Sequence, residues 1–518
     1  MLESSLLGTL YTFWCHSAVF SLLQKVYRCF QNAWMHSLTR RIFVRDSRVQ
    51  RTYEASLFVH IIRSGLNGLV RLIGGLLSRF GRLNAGGVNY RLWQRFGKSS
   101  VFLKYEFLFG ASVAVMFLCH HNRWSNTYAL LIAIAFLFLY LAVCAGRGRK
   151  AFDPAKLGFP FFLFVCAAVF SLAFTPTLDD SVRVLSFYLT SFILCYLAAG
   201  AVWDRRSLMT ILGMLYAAVL LTACYALIQR FIIGVEPSTS FTDLTLNVGV
   251  PGRVYSTLDN ANNYAEFLVL MTPLAAVWAI NVKTSWKNIP LSLPLCLALA
   301  VPMLALVMTY SRNGWIAITL AAVVFVCFSE KKLVPLLFLA AVMAVPFLPA
   351  SVITRFSTIF TLRDTSNNHR IRIWLSTLHL LRDYGVTGIG PGPDSFALIF
   401  PNYAGEDTRR GAVHTQMLYL ELIVEFGLFG FISFMWFYFQ TIKNSACKLV
   451  RSSARPLRLA LCACTASLIG MTFSSLVEYI WFYPRIMFAF FLVCGFAIGF
   501  TNLDDSGFAE EAGKQTGS

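Results

Sequence analysis

Residues 351–416 read SVITRFSTIFTLRDTSNNHRIRIWLSTLHLLRDYGVTGIGPGPDSFALIFPNYAGEDTRRGAVHTQ, a polar stretch inside a chain that is otherwise mostly apolar. It carries Arg355, Arg363, Arg370, Arg372, Arg382, Arg409 and Arg410, with His369, His379 and His414. A connection of this length between two hydrophobic runs, holding so many guanidiniums, an amphipathic patch and a glycine-rich turn, is expected to be functional.

The surrounding composition sets the class. Apolar residues fill 57% of the 518 positions and charged residues 13%, with 47 phenylalanines and a mean hydropathy of +0.63. A soluble domain is about 25% charged, so the chain reads as an all-α integral membrane protein. From residue 105 onward twelve hydrophobic runs have roughly the length of a span: 105–120, 127–145, 158–175, 183–201, 207–229, 263–281, 290–310, 313–328, 333–350, 416–440, 457–476 and 485–501. The thirteen cysteines lie mostly within these runs, with no CxxC pair and no Cys/His metal spacing, and read as buried thiols. Residues 1–23 lack a basic n-region and a small-residue cleavage site, so no signal peptide is expected and the spans direct insertion.

Short loops give the orientation. With a cytoplasmic N-terminus, the inside loops hold Arg147, Arg149, Lys150 and Lys156, then Arg205 and Arg206, Lys283 and Lys287, Lys331 and Lys332, and finally Lys443, Lys448, Arg451 and Arg455. The short outside loops hold little beyond Arg123, Arg183, Arg312 and Arg485. The positive-inside rule then places both termini in the cytoplasm and the long loops 230–262 and 351–415 outside. The polar tail 503–518 falls on the inner side.

Residues 1–104 differ from the remainder. Arg28, Arg40, Arg41, Arg45, Arg48, Arg51, Arg63, Arg71 and Arg79 alternate with apolar residues at helical spacing, as at Leu57, Ile61, Ile62 and Leu66. Such helices lie on an anionic leaflet; a disordered or nucleic-acid-binding tail would leave the periodic apolar positions unused. No nucleic-acid partner is expected.

The outside placement gives the arginines of 351–415 a local purpose. Arginine grips a diphosphate through a planar fork that stays charged, so an anionic ligand presented from the bilayer is expected; lipid headgroups or the nearby Asp364, Asp383, Asp394, Glu406 and Asp407 are the alternative partners. Arg370, Trp374 and Leu378 share one face of a helix expected over 371–381, opening after the capping run Thr365–Asn368, while Arg372 points elsewhere. The turn Gly388-Ile389-Gly390-Pro391-Gly392 offers close approach to a substrate. His414 stands at the mouth of the span that holds Glu421 and Glu425, and a boundary histidine accepts a proton near neutral pH. Asn260, Asn262 and Glu266 would be costly against lipid and are expected to face a cavity or the bundle interior.

Arg253 with Ser256-Thr-Leu-Asp-Asn-Ala-Asn-Asn-Tyr-Ala-Glu266, Ser311-Arg312 at a span boundary, Arg370-x-x-x-Trp374 before the glycine turn, and His414-x-x-x-x-Tyr419-Leu420-Glu421-x-x-x-Glu425-Phe426-Gly427 occur in this order. The combination resembles the O-antigen ligase and O-antigen polymerase superfamily of bacterial membrane glycosyltransferases, over roughly residues 105 to 500. Ala261 replaces a proline of the usual Asn-Pro-Asn and Asp259 a glycine, which alters the local backbone more than the chemistry. Residues 1–104 lie outside the pattern.

The resemblance implies a GT-C-like, metal-independent glycosyltransferase of the plasma membrane, with no cofactor. Its donor would be a glycan on undecaprenyl diphosphate and its acceptor a hydroxyl of a lipid-linked or surface glycan. Arg253, Arg370 and His414 match the family's functional residues. In these roles the arginines hold the diphosphate and stabilise the charge it gains on leaving, and His414 orients or deprotonates the incoming hydroxyl. Arg312 and Arg372 are candidates for further phosphate contacts, Asp394 and Tyr403 for sugar hydroxyls, and Asn260 and Asn262 for substrate contacts. Ligase and polymerase share these motifs. A lipid-linked glycan flippase remains a different class, but it would carry its charges along a path within the spans, whereas here they gather at one side.

Overall fold

A backbone in hydrocarbon must satisfy its own hydrogen bonds, so long apolar runs become helices. The computed structural model describes residues 12–18, 48–83, 102–236, 252–286, 289–344, 365–405 and 412–506, with isolated residues elsewhere. Arg40, Arg41, Arg45, Arg355, Arg363, Asp364, Glu406, Asp407, Arg409, Arg410, residues 237–251 and nearly all of the tail beyond 506 lie outside the described residues.

The chain forms α1 (Leu57–Leu83), α2 (Tyr105–Leu118), α3 (Asn126–Gly146), α4 (Phe159–Phe170), α5 (Leu178–Ala201), α6 (Arg205–Ile228), α7 (Ala261–Asn281), α8 (Ser292–Ala298) and α9 (Ala300–Met308). After these come α10 (Arg312–Ser329), α11 (Val334–Ala344), α12 (Thr365–Tyr384), α13 (Pro393–Ile399), α14 (Leu418–Arg451), α15 (Arg455–Ser474) and α16 (Pro484–Thr501). A two-residue antiparallel pair, Ser285–Trp286 with Ile289–Pro290, precedes α8. The protein is an all-α polytopic membrane protein.

All twelve expected spans fall on helices, and nine helices among the described residues have the length and apolarity to cross a bilayer. Eight of the nine coincide with expected spans. The run 290–310 is instead divided at Leu299 into α8 and α9: Pro302 has no N–H and its ring opposes the carbonyl four residues earlier. The run 333–350 yields only the eleven residues of α11, which ends two positions before Pro346. The ninth long helix is α1, which has the reach of a span but carries Arg63, Arg71, Arg79 and Arg82. Each such charge costs about 2.5–3.5 kcal/mol at a bilayer centre. Arg63 pairs with Asp153 at 2.7 Å, and α1 packs along α3.

The centre of the bundle is α7, enclosed by α6, α10, α15 and α16. Asn260 caps it, its side chain accepting from Asn262 N at 2.8 Å. The pair α5 and α16 approaches closely because Gly495 and Gly499 of α16, four apart, face the α5 backbone; a Cβ on Gly499 would stand 2.5 Å from the Ala199 carbonyl oxygen. Phe164, Phe426, Phe434, Trp481, Phe490 and Phe491 interleave between α4, α14 and α16, several edge to face.

Two expectations for the polar stretch are corrected. The helix expected over 371–381 runs from Thr365 to Tyr384, so Thr365–Asn368 forms its first turn instead of preceding it; short polar residues suit a turn whose N–H groups are free. Its buried stripe is Ile373, Thr377 and Leu380, with Arg370 at the edge and Leu378 50% exposed. The Gly388 end of the glycine turn, expected to admit a substrate, admits another helix, whereas Gly392 lines a cavity. Gly427 takes φ +67°, ψ −179° within α14, breaking its ladder. Ile389 N donates to Val424 O at 2.7 Å and Leu428 N to Gly385 O at 2.8 Å across the break.

Candidate functional site

Four polypeptide pieces meet where α7 begins. The segment 252–260 is pinned to the end of α9, with Val254 N donating to Met308 O at 3.2 Å and Arg253 Nε to Thr309 O at 2.7 Å. Arg253 Nη2 also donates to Asn262 Oδ1. The next residues after Thr309 open α10, where Ser311 caps Gly314 N at 3.3 Å and Asn313 Nδ2 donates to Ser474 Oγ at 2.7 Å. Arg312 therefore enters beside the end of α15.

The connection from α15 to α16 holds the counterpart of Arg370. Arg370 Nη2 donates to Glu478 Oε2 at 2.7 Å, with the two side chains only 20% and 18% exposed. Leu418 N, at the start of α14, donates to the carbonyls of Ser475 and Glu478, both at 3.2 Å. This brings His414 alongside: its ring lies 4.4 Å from Phe482 and 5.4 Å from Tyr479. Asn262 and Glu266, four apart, share one face of α7, so the helix carries the partner of Arg253 one turn from Glu266. The Glu266 carboxyl is 2% exposed, has no hydrogen-bond partner on either oxygen, and has Glu478 and Arg370 as charged neighbours.

His414 is 8% exposed, and burial, with the Arg370 charge beside it, pushes its imidazole down to about 4. It is neutral near pH 7. Its Nδ1 accepts from Gln416 N at 3.1 Å, a contact that assigns the ring proton to Nε2. In this tautomer Nε2 offers a donor to a ligand, which favours orienting a hydroxyl over deprotonating it.

Backbone strain gathers at the same place. Ser256, Asp259, Tyr310 and Gln416 are the non-glycine residues with positive φ among the described residues, at 54°, 74°, 51° and 61°. Each lies within six residues of Arg253, Arg312 or His414 along the chain. Ser256 is held by Gln229, whose side chain accepts from its N–H at 2.7 Å and donates to its carbonyl at 3.0 Å. Strain retained by surrounding contacts is a recurrent mark of binding and catalytic sites.

A cavity of about 210 Å³ adjoins Val413 and Phe482 and is lined also by Arg183, Tyr188, Glu425 and Tyr479. Glu425 is fully engaged: Tyr188 Oη donates to it at 2.7 Å, Tyr479 Oη at 3.1 Å and Gly392 N at 3.4 Å. Glu421 accepts from Thr415 N at 2.6 Å, fixing the chain beside His414. Both glutamates thus serve the geometry of the site.

The remaining sequence candidates are dispersed. Arg372 is exposed on α12. Asn260 is used as the α7 cap. Asp394 is exposed one residue past Pro393, which lines the cavity, and its N–H donates to Asp180 at 3.0 Å. Tyr403 donates to Asp383 at 2.5 Å, which holds its phenol up at about 12. Asp383 lies thirteen residues along α12 from Arg370, about 20 Å of helix, so Tyr403 is not gathered with the arginines. Sequence reasoning missed Glu478; the available signal was a carboxylate in the short connection between two spans on the side that is poor in lysine.

This arrangement defines a class: a polytopic membrane protein with half-buried arginines and a neutral histidine at one end of its bundle. Residues 267–435 match the family model described as O-antigen ligase. The matched segment includes Arg312, Arg370, Arg372, Asp394, Tyr403 and His414, while Arg253, Glu266 and Glu478 lie outside it. No curated protein matches the chain. The protein is an integral membrane protein in which one segment, residues 267–435, is similar to O-antigen ligase.

Proposed function

We propose that the protein is a GT-C-type glycosyltransferase of the bacterial plasma membrane. It transfers a glycan from undecaprenyl diphosphate to a hydroxyl of a lipid-linked or cell-surface glycan, without a metal ion. Its termini are cytoplasmic, its site faces outward, and residues 1–104 form a basic interfacial region. The observation that carries this reading is the Arg370–Glu478 pair beside neutral His414, with Glu266 as its charged neighbour one helical turn from Asn262, the partner of Arg253.

In this reading the donor diphosphate displaces Glu478 from Arg370. Arg370 and Arg253 then stabilise the charge that develops as the anomeric carbon–oxygen bond breaks. The acceptor oxygen, held by His414 Nε2–H, forms the new bond to that carbon. Its proton passes to Glu478, the carboxylate released by the exchange, and undecaprenyl diphosphate departs.

The test is transfer by purified protein in EDTA, with undecaprenyl-diphosphate-linked glycan, with and without a lipid-linked acceptor. Glycan on the acceptor with release of undecaprenyl diphosphate is the expected result. Longer chains retained on undecaprenyl diphosphate make the protein a polymerase. Donor binding without transfer removes the roles given to Arg253, Arg370 and His414 and restores the transporter reading.

A further inference from the structure

A second cavity, of about 160 Å³, opens on the other side of the α7 N-terminus. Its lining includes His121, Trp124, Asn126, Asn263, Tyr483 and Arg485. It shares Asn126 and Pro484 with the cavity beside His414, so the two are neighbours. Asn263 follows Asn262 directly, and a step of about 100° around the helix turns it away from Arg253.

Two buried polar atoms in this lining have no well-formed hydrogen bond within the protein. Asn263 is 5% exposed and its Nδ2, near the Tyr483 phenol, makes no well-formed hydrogen bond; the buried His121 Nδ1 is unpaired as well. His121 Nε2 stands 3.5 Å from Asp259 Oδ1, and burial lowers the imidazole from its ordinary value, so the neutral ring keeps its proton toward Asp259 and Nδ1 is an acceptor. The cavity therefore holds one unsatisfied donor and one unsatisfied acceptor, and a buried polar group left unpaired forfeits the hydrogen bonds it made to water. A hydroxyl both donates and accepts, and complements the pair.

The charges argue against an anion. Arg485 is 7% exposed and spends Nη1 on the Cys119 carbonyl at 2.8 Å and Nη2 on the Thr257 carbonyl at 3.1 Å. Asp259, which also accepts from Tyr483 Oη at 3.4 Å, adds a negative charge at the rim. An acyl chain would leave both orphaned atoms buried. With a water occupying about 30 Å³, the volume equals five or six waters, the size of one sugar ring, and Trp124 supplies an apolar wall for its C–H face.

We infer that this cavity is a saccharide subsite, which binds one neutral sugar ring through Asn263 and His121 at a point removed from the reacting bond. The inference rests on the glycan-transfer reading above and extends it. The ring belongs either to the donor glycan or to the acceptor glycan; the recognition chemistry is the same for both.

The test is saturation-transfer NMR on the purified protein in lipid nanodiscs, with free D-glucose, D-galactose, N-acetyl-D-glucosamine and L-rhamnose as millimolar probes. Saturation transfer to at least one probe is expected, lost in Asn263→Ala and His121→Phe and retained in His414→Ala. Asn263→Asp keeps the side-chain size and exchanges the donor for an acceptor, so it replaces Asn263→Ala if that variant does not fold; it too is expected to lose the signal. No transfer to any probe, or a signal unchanged by these substitutions, overturns the subsite. A protein that binds sugar through Asn263 but moves no glycan overturns the proposed function and leaves the subsite standing. In the transfer assay, Asn263→Ala raises KM for the donor if the ring is the donor's and for the acceptor if it is the acceptor's; a rise in neither refutes a part in transfer.

Discussion

Arg370 and Glu478 are 108 positions apart in sequence and 2.7 Å apart in space, and the guanidinium that Glu478 holds is also the charge beside His414. The pair is a stored contact. A half-buried carboxylate keeps the arginine in place until a stronger, bidentate anion arrives.

Removing either partner separates binding from chemistry. Arg370→Ala is expected to lower kcat for glycan transfer by on the order of 10²–10³-fold, the usual cost of losing one preorganised charge donor. Glu478→Gln frees Arg370 for the diphosphate but removes the proton acceptor, so both kcat and the donor KM fall. Steady-state kinetics on the two variants and on the double variant check this. A donor KM that rises in Glu478→Gln would sink the exchange.

His414 gives the protein a pH signature. Its folded-state value near 4 lies below the ordinary 6.5, so between these limits the unfolded chain binds more protons than the folded one. Stability therefore falls as pH drops from about 6.5 to 4, by on the order of 3 kcal/mol. Thermal midpoints in detergent across this range should show the decline for the wild type and a flatter profile for His414→Gln. Equal slopes would remove His414 as its source.

The glycine turn is expected to govern stability. A Cβ on Gly388, whose φ is +75°, would stand 2.6 Å from the Glu425 carbonyl oxygen, and one on Gly427 would meet the Val386 carbonyl oxygen. Gly388→Ala and Gly427→Ala each combine left-handed strain, about 1–2 kcal/mol, with a clash against backbone. Both should lower the unfolding midpoint measured by circular dichroism, whereas Gly405→Ala, with open space around it, should not.

Arg253 has a double duty. Arg253→Ala removes a charge from the site and unpairs the Thr309 carbonyl, so transfer and thermal stability fall together. Asn262→Ala removes only the side-chain anchor and should lower transfer with a smaller loss of stability. If Asn262→Ala leaves transfer at the wild-type rate, the anchor is not needed.

Composition and span length were enough to read the helical bundle, and the polar stretch pointed to Arg370 and His414 as residues that work together. The partners were not legible. Glu478 and Glu266 reach Arg370 from segments more than a hundred residues away, and nothing local distinguishes them from other glutamates near a span. His121 and Asn263 carry no motif either; they become notable only because burial leaves Nδ1 and Nδ2 without well-formed hydrogen bonds. The turn at Gly388 misled for a physical reason: glycine signals that something approaches the backbone, and here the neighbour is α14. The division of 290–310 was readable in principle from Pro302.

The break at Gly427 also imposes an order on how the molecule is made. Helix α14 counts 34 residues across its break at Gly427, and the interrupted ladder is completed by Gly385 and Ile389, which emerge from the ribosome earlier and belong to a segment outside the spans. Until that segment folds back, the Val424 carbonyl and the Leu428 amide have no partner. Threading of the span must therefore come first and docking of the turn second, so a nascent chain cannot complete this end of the bundle before α14 is in place.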